Sequence, residues 1–177
     1  MSWEGGVDLI AKTSDEVEMP NVIVHVARMV HTPVGSAPSG IIFWQPDTAA
    51  APLAFGFVSS SPEVGAYFGK HIFAGTPFEN APVIIGQITI DTSGDQASAR
   101  VEIPGFVFES HLSDFSAQTM IQREPGPTSP FHQQGLEAVA GHACLKVNGE
   151  KIPLTIPPVG ITGGPCAVLA ACGLYAR

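Results

Sequence analysis

Apolar and polar residues alternate with a period of two over residues 82–109 more regularly than anywhere else in the chain. Ile84, Gly86, Ile88 and Ile90 interleave with Val83, Ile85, Gln87 and Thr89, and beyond a polar turn Ala99, Val101 and Ile103 interleave with Ser98, Arg100 and Glu102. Successive side chains of a strand point to opposite faces, so the pattern predicts a β-hairpin. Its first arm is apolar on most of both faces, which predicts a central strand covered on two sides, whereas the second arm has one polar face. A second hairpin is predicted where Ala143, Leu145 and Val147, then Ile152, Leu154 and Ile156, flank Asn148-Gly149. A type I′ turn needs positive φ at both central positions, and this dipeptide supplies them.

Further strands are predicted at 7–12 and 21–32, the latter dense in β-branched residues, with an acidic turn at 14–20 between them. Proline, glycine and serine make 33–39 a loop. A strand pair follows at 40–45 and 53–59, with Phe43, Phe55 and Phe57 on a shared inner face. The pattern then changes period. Ser61-Pro62-Glu63 is a cap, a first-turn proline and a first-turn acid, and Val64, Tyr67, Phe68 and Ile72 recur at helical spacing, predicting a helix over Pro62–Ile72. Gly65 and Gly69 fall on one face of it, where a backbone or a ligand can approach closely. The residues 74–81 form a loop, and 106–109 continue the sheet after Pro104-Gly105. Residues 113–135 are polar and hold four closely placed prolines and glycines, so they read as one long connection, either plain surface or a lid. Periodicity leaves 166–173 open between a short buried helix and a last strand. The architecture predicted is mainly β, an antiparallel sandwich or barrel with one short helix, with an α+β sheet as the alternative. At 177 residues it is expected to be a single globular domain, 1–177.

Composition narrows the function classes more than it selects one. Hydrophobic residues make up 45% and charged residues 14%, and the mean hydropathy is +0.23. This apolar excess suits a filled core, a ligand cavity or an interface between subunits. No run reaches the roughly 20 apolar residues of a membrane span. The net charge is −8, and the eight bases, Arg177 among them, are scattered singly, which argues against nucleic acid and against anionic membranes. The N-terminal residues lack the pattern of a secretory signal, so the expected location is cytoplasmic. Cys166 and Cys172 are too far apart in either regular conformation for a disulfide, and the three cysteines are expected to be reduced and buried.

Candidate chemistry is sparse. Asp91-Thr92-Ser93-Gly94 is similar to the loop of aspartic proteases, but Ser93 is inserted and no second copy supplies the partner carboxylate, so it reads as a hairpin turn. Glu109 and His111 share a strand face at a spacing that lets the carboxylate orient the imidazole, making them the candidate acid–base pair. His25 and His31 share a face but are about 20 Å apart, too far to bind one metal. His142 and Cys144 supply only two of the ligands a zinc site needs, so no metal and no cofactor is expected. His71, beside Lys70, suits a helix C-terminus. The motifs of nucleophile elbows, phosphate loops, dinucleotide folds and redox dithiols are all missing. Eight of the fourteen aromatic residues lie between 43 and 78.

Three functions are compatible with these features. The first is binding of a small apolar molecule, with Phe43, Phe55, Phe57, Tyr67 and Phe68 as walls and 113–135 as a lid. The second is a cofactor-independent isomerase, cyclase or lyase using Glu109 and His111. The third is a homo-oligomeric structural or interaction module.

Overall fold

The computed structural model describes every residue except Pro77, Thr128, Thr162 and Arg177. Those four positions, within the loop 74–81, the stretch 113–135, the approach to the last strand and the set of scattered bases, lie outside the described residues. Twelve strands run in chain order: β1 (Ser2–Ala11), β2 (Val22–Thr32), β3 (Gly35–Trp44), β4 (Ala54–Ser59), β5 (Val83–Ile85), β6 (Gln87–Asp91), β7 (Gln96–Ile103), β8 (Phe106–Phe115), β9 (Thr119–Arg123), β10 (His132–Val147), β11 (Glu150–Ile152) and β12 (Ala167–Ala176). The one helix among the described residues, α1 (Pro62–Ile72), lies between β4 and β5. The fold is thus mainly β, as the alternation predicts.

All twelve strands join one sheet, ordered β5-β4-β3-β2-β1-β12-β10-β8-β7-β6, with β9 and β11 also pairing β10. Pairing is antiparallel except between β4 and β5. The sheet is not closed into a barrel; it folds over, so that its two halves face each other. Val7, Leu9, Val24, Val26 and Ile42 of one half pack in a single core with Ile88, Ile90, Val101, Phe108, Leu112 and Leu145 of the other. Alternation decides which side chains enter that core. The intervening residues of β1, β2 and β3 point to the opposite face, where Ile10, Ile23, Ile41 and Phe57 meet Phe68 and Ile72 of α1 in a second apolar cluster.

The helix occupies the predicted span. Ser61 caps it, its hydroxyl accepting from the Val64 N–H, and Pro62 and Glu63 fill the first turn. Gly69 lies against the Phe57 ring, where an added Cβ would overlap it, and a Cβ on Gly65 would sit 2.9 Å from Val83. The two glycines therefore let the helix lie flat on the sheet. The Asn148-Gly149 turn also forms, with φ of 51° and 83°. The Asn148 side chain ties it to the neighbouring β7–β8 turn, accepting from the Val107 N–H at 2.8 Å and donating to the Gly105 carbonyl.

Several expectations are corrected. Residues 83–90 are not one central strand. Gly86 breaks them into β5, at one edge of the sheet, and β6, at the other. Val83 and Ile85 are exposed, Val83 bordering Gly65 of α1, and the two-sided apolar pattern reflects this partial cover by the helix rather than a central position. Most of 33–39 is strand, since Ala37 and Ser39 are buried between neighbours. The supposed long connection 113–135 contains the end of β8, all of β9 and the start of β10, so its irregular part among the described residues shrinks to 116–118, 124–127 and 129–131. The stretch 166–173 resolves in favour of a strand, β12. Of the three free cysteines, only Cys166 is buried; Cys144 is partly accessible and Cys172 exposed.

Candidate functional site

Two apolar strands each carry one polar residue on the face that α1 covers. In β1, Asp8 lies between the core residues Val7 and Leu9; in β2, His25 lies between Val24 and Val26. The β1–β2 register sets Asp8 directly opposite His25. Their side chains meet, the His25 Nδ1 lying 2.8 Å from the Asp8 Oδ1. A proton on Nδ1 is donated to the carboxylate, which fixes the ring's orientation and leaves Nε2 without a protein partner among the described residues.

A second pair stands beside the first. Glu137 follows a register shift between Leu136 and Glu137 in β10, and only 5% of it is accessible. A bulge of this kind re-aims the side chains that follow it. Arg123, the last residue of β9, donates through both terminal nitrogens to the two Glu137 oxygens, at 2.7 Å each. Tyr175 of β12 shares the site, its ring held between Trp3 at 4.8 Å and Phe131 at 6.5 Å.

These groups line a cavity of about 320 Å³ between the sheet, the end of α1 and the segment 124–131. That size lies at the small end of ordinary ligand sites. The apolar walls are Ile10, Ile23 and Ile41 from the strands, Ile72, Phe73 and Phe78 from the helix and its following loop, and Phe131 opposite, and Glu124, Ser129 and Gln133 add polar groups to the lining. Burial opposes a charge on His25, but Asp8, through its charge and its hydrogen bond, outweighs it with help from Glu137, so the imidazole pKa is raised above 6.5 even though Arg123 works against it. Burial, and then the Asp8 carboxylate, push the Tyr175 hydroxyl well above its usual value and keep it protonated. The hydrogen bonds it donates to Glu137 hold Arg123 charged. With His25 protonated the quartet is electrically neutral.

The residues singled out in the sequence are placed elsewhere. Glu109 and His111 lie on one face of β8, the face opposite the buried Phe108, Ser110 and Leu112. The Glu109 carboxylate receives the Arg100 guanidinium at 2.7 Å, no hydrogen bond links it to His111, and neither residue lines the cavity. Phe43 packs on Phe55 at 5.8 Å, and Phe57 on Phe68 at 6.2 Å, so these rings fill the space between sheet and helix. Tyr67 stacks on His71, whose Nδ1 lies 2.8 Å from the Tyr67 carbonyl. None of the five aromatic residues lines the cavity; the aromatic cluster reaches it only through Phe73 and Phe78. Asp91 accepts from the Ser93 N–H within a turn, as a hairpin connection requires. His142 lies 3.6 Å from Asp114, and His31 points to Ser36. Among the described residues no three His, Cys, Asp or Glu side chains are placed to hold a metal, and no helix is long and apolar enough to cross a membrane.

Sequence reasoning misses Asp8, Glu137, Arg123 and Tyr175, and it weighs His25 only against His31. A usable signal is present: a lone acid and a lone histidine, each flanked by core-forming aliphatics, are costly to bury unless they are paired. No protein-family model, curated protein or solved structure matches the chain.

Proposed function

We propose that the protein binds a small, uncharged, largely apolar molecule in the cavity between the outer face of β1, β2 and β12, the end of α1 and the segment 124–131. The observation that carries this reading is the charge balance of the polar wall. Asp8 faces His25 at 2.8 Å and Glu137 takes the Arg123 guanidinium, while Glu124, a further charged residue of the lining, is exposed beside His132, so the wall offers no unpaired cation to an anionic ligand, and burying an uncompensated ion is costly. A neutral hydrogen-bonding group meets no such penalty, because the His25 Nε2 and the Tyr175 hydroxyl are open to it, while the isoleucine and phenylalanine walls take an apolar body. This keeps the ligand class expected from the aromatic content but moves the walls from Phe43, Phe55, Phe57, Tyr67 and Phe68 to the residues around Asp8 and His25. The segment 124–131 takes the part of the lid.

Calorimetric titration with two molecules that share a ring tests it. Cyclohexyl methyl ketone should bind, and cyclohexanecarboxylate should bind at least about tenfold more weakly, a difference of about 1.4 kcal/mol. Equal binding, preference for the carboxylate, or no binding of either would sink the reading.

A further inference from the structure

We propose that Asp8 and His25 form a proton-transfer site, in which His25 Nε2 moves a proton from one carbon of a small neutral carbonyl compound to another. The inference rests on the ligand-binding reading and adds an activity to it. Three features carry it. The Nδ1 of His25 is held by Asp8 at 2.8 Å, so the ring cannot turn away and Nε2 is the nitrogen presented to the cavity. The apolar part of the wall, isoleucine and phenylalanine, gives a bound substrate no base of its own, so the imidazole is the base at hand. The third is the Tyr175 hydroxyl, which lines the same cavity and stays protonated, so that it can donate a hydrogen bond where a carbonyl oxygen gains charge.

The step balances within the site. Neutral His25 takes a proton from the carbon next to the carbonyl; the C–H electron pair becomes the carbon–carbon double bond of an enolate, and the carbonyl oxygen takes the negative charge while accepting from Tyr175. Asp8 faces the imidazolium so formed. Nε2 then returns the proton to the same carbon, or to a conjugated carbon farther along, and the double bond shifts. No oxidant, reductant or metal is consumed. The charged and titratable groups that share the cavity with His25 are Asp8 from β1, Arg123 from β9, Glu124 just after it, Glu137 from β10 and Tyr175 from β12. Because Asp8 stabilises the protonated ring, it acts as a positioning residue that sets the pH at which His25 becomes a base.

The experiment follows exchange of the α-protons of cyclohexyl methyl ketone in D₂O by proton NMR, with saturation-transfer binding read on the same samples. The protein should accelerate exchange, and His25→Gln, with its fold checked by amide spectra, should lose about 100-fold of that acceleration at ketone concentrations that saturate its binding on the same samples. Asp8→Asn should shift the pH profile of exchange to lower pH, which a purely structural role would not do. Binding of the ketone with exchange no faster than in His25→Gln would overturn the proton-transfer site and leave the ligand reading intact. Absence of binding by the unaltered protein would overturn both.

Discussion

At the residue scale, the cavity turns on two partly buried charge pairs that differ in kind. The Arg123–Glu137 pair is doubly hydrogen-bonded, and its carboxylate is almost sealed from water. Removing one partner strands the other, so Arg123→Met should cost about 3 to 5 kcal/mol in urea unfolding, while Arg123→Met combined with Glu137→Leu should recover most of that loss. A double variant as unstable as the single one would show that the pair does more than satisfy itself. The Asp8–His25 pair, by contrast, titrates. The folded pKa of His25 is raised above its ordinary 6.5, so the stabilisation is full below about pH 6.5 and is lost as pH rises through the folded value. Unfolding free energy measured between about pH 5 and 9 should fall across that window in the native protein, and the fall should vanish in Asp8→Asn. None of these partnerships is legible in the sequence. Asp8 and His25 lie 17 positions apart and meet only through a strand register that no local pattern encodes, and Glu137 is aimed by a register shift inside a strand of sixteen residues. The pair that sequence spacing does favour, Glu109 and His111, lies close along β8, but Arg100 across the ladder competes for the same carboxylate.

At the scale of elements, local chemistry and observed structure agree best where the signal is short-range. The cap at Ser61, the period of 3.6 after it and the Asn148-Gly149 turn depend on neighbours within four residues, and all three form. The two helix glycines are the instructive case. Propensity alone says that Gly69→Ala should stabilise α1 by about 1 kcal/mol. The Phe57 ring occupies the place the new methyl group would take, and Phe57 is itself fully buried against Phe68 and Phe73. Overpacking should therefore prevail, and Gly69→Ala should lower stability by about 1 to 3 kcal/mol, read as a lower denaturation midpoint. A gain in stability would mean that the helix can slide over the sheet. The failures at this scale come from cover. Residues 33–39 hold the residue types of a loop, but 35–37 and Ser39 pair with β2 and Ser39 also with β4, and 83–90 look central yet border the sheet, because α1 hides one side of an edge strand.

At the scale of the molecule, the chain passes from one extreme of the sheet to the other through a single residue, Gly86. Its N–H donates to the Ser59 carbonyl at 3.1 Å, and a Cβ there would come 2.6 Å from the Glu102 carbonyl oxygen and 2.8 Å from Val58. Backbone crowds that position from both halves. Gly86→Val should thus push β4 and β7 apart, with a loss of several kcal/mol and faster amide exchange along both strands; protection unchanged on either side would show that the seam carries no load. The mainly β character is legible because alternation reports burial directly. Strand order is not, since it depends on pairings such as β1 with β12 that join distant parts of the chain. The same seam bears on how the protein behaves in a crowded solution. The strands that end the sheet are brief, three residues in β5 and five each in β6 and β9, and the fold turns its two extremes towards each other. A passing copy therefore finds no long flat row of unpaired amides on which to add a strand, and so a mainly β chain with a mean hydropathy above zero is shielded from edge-to-edge aggregation.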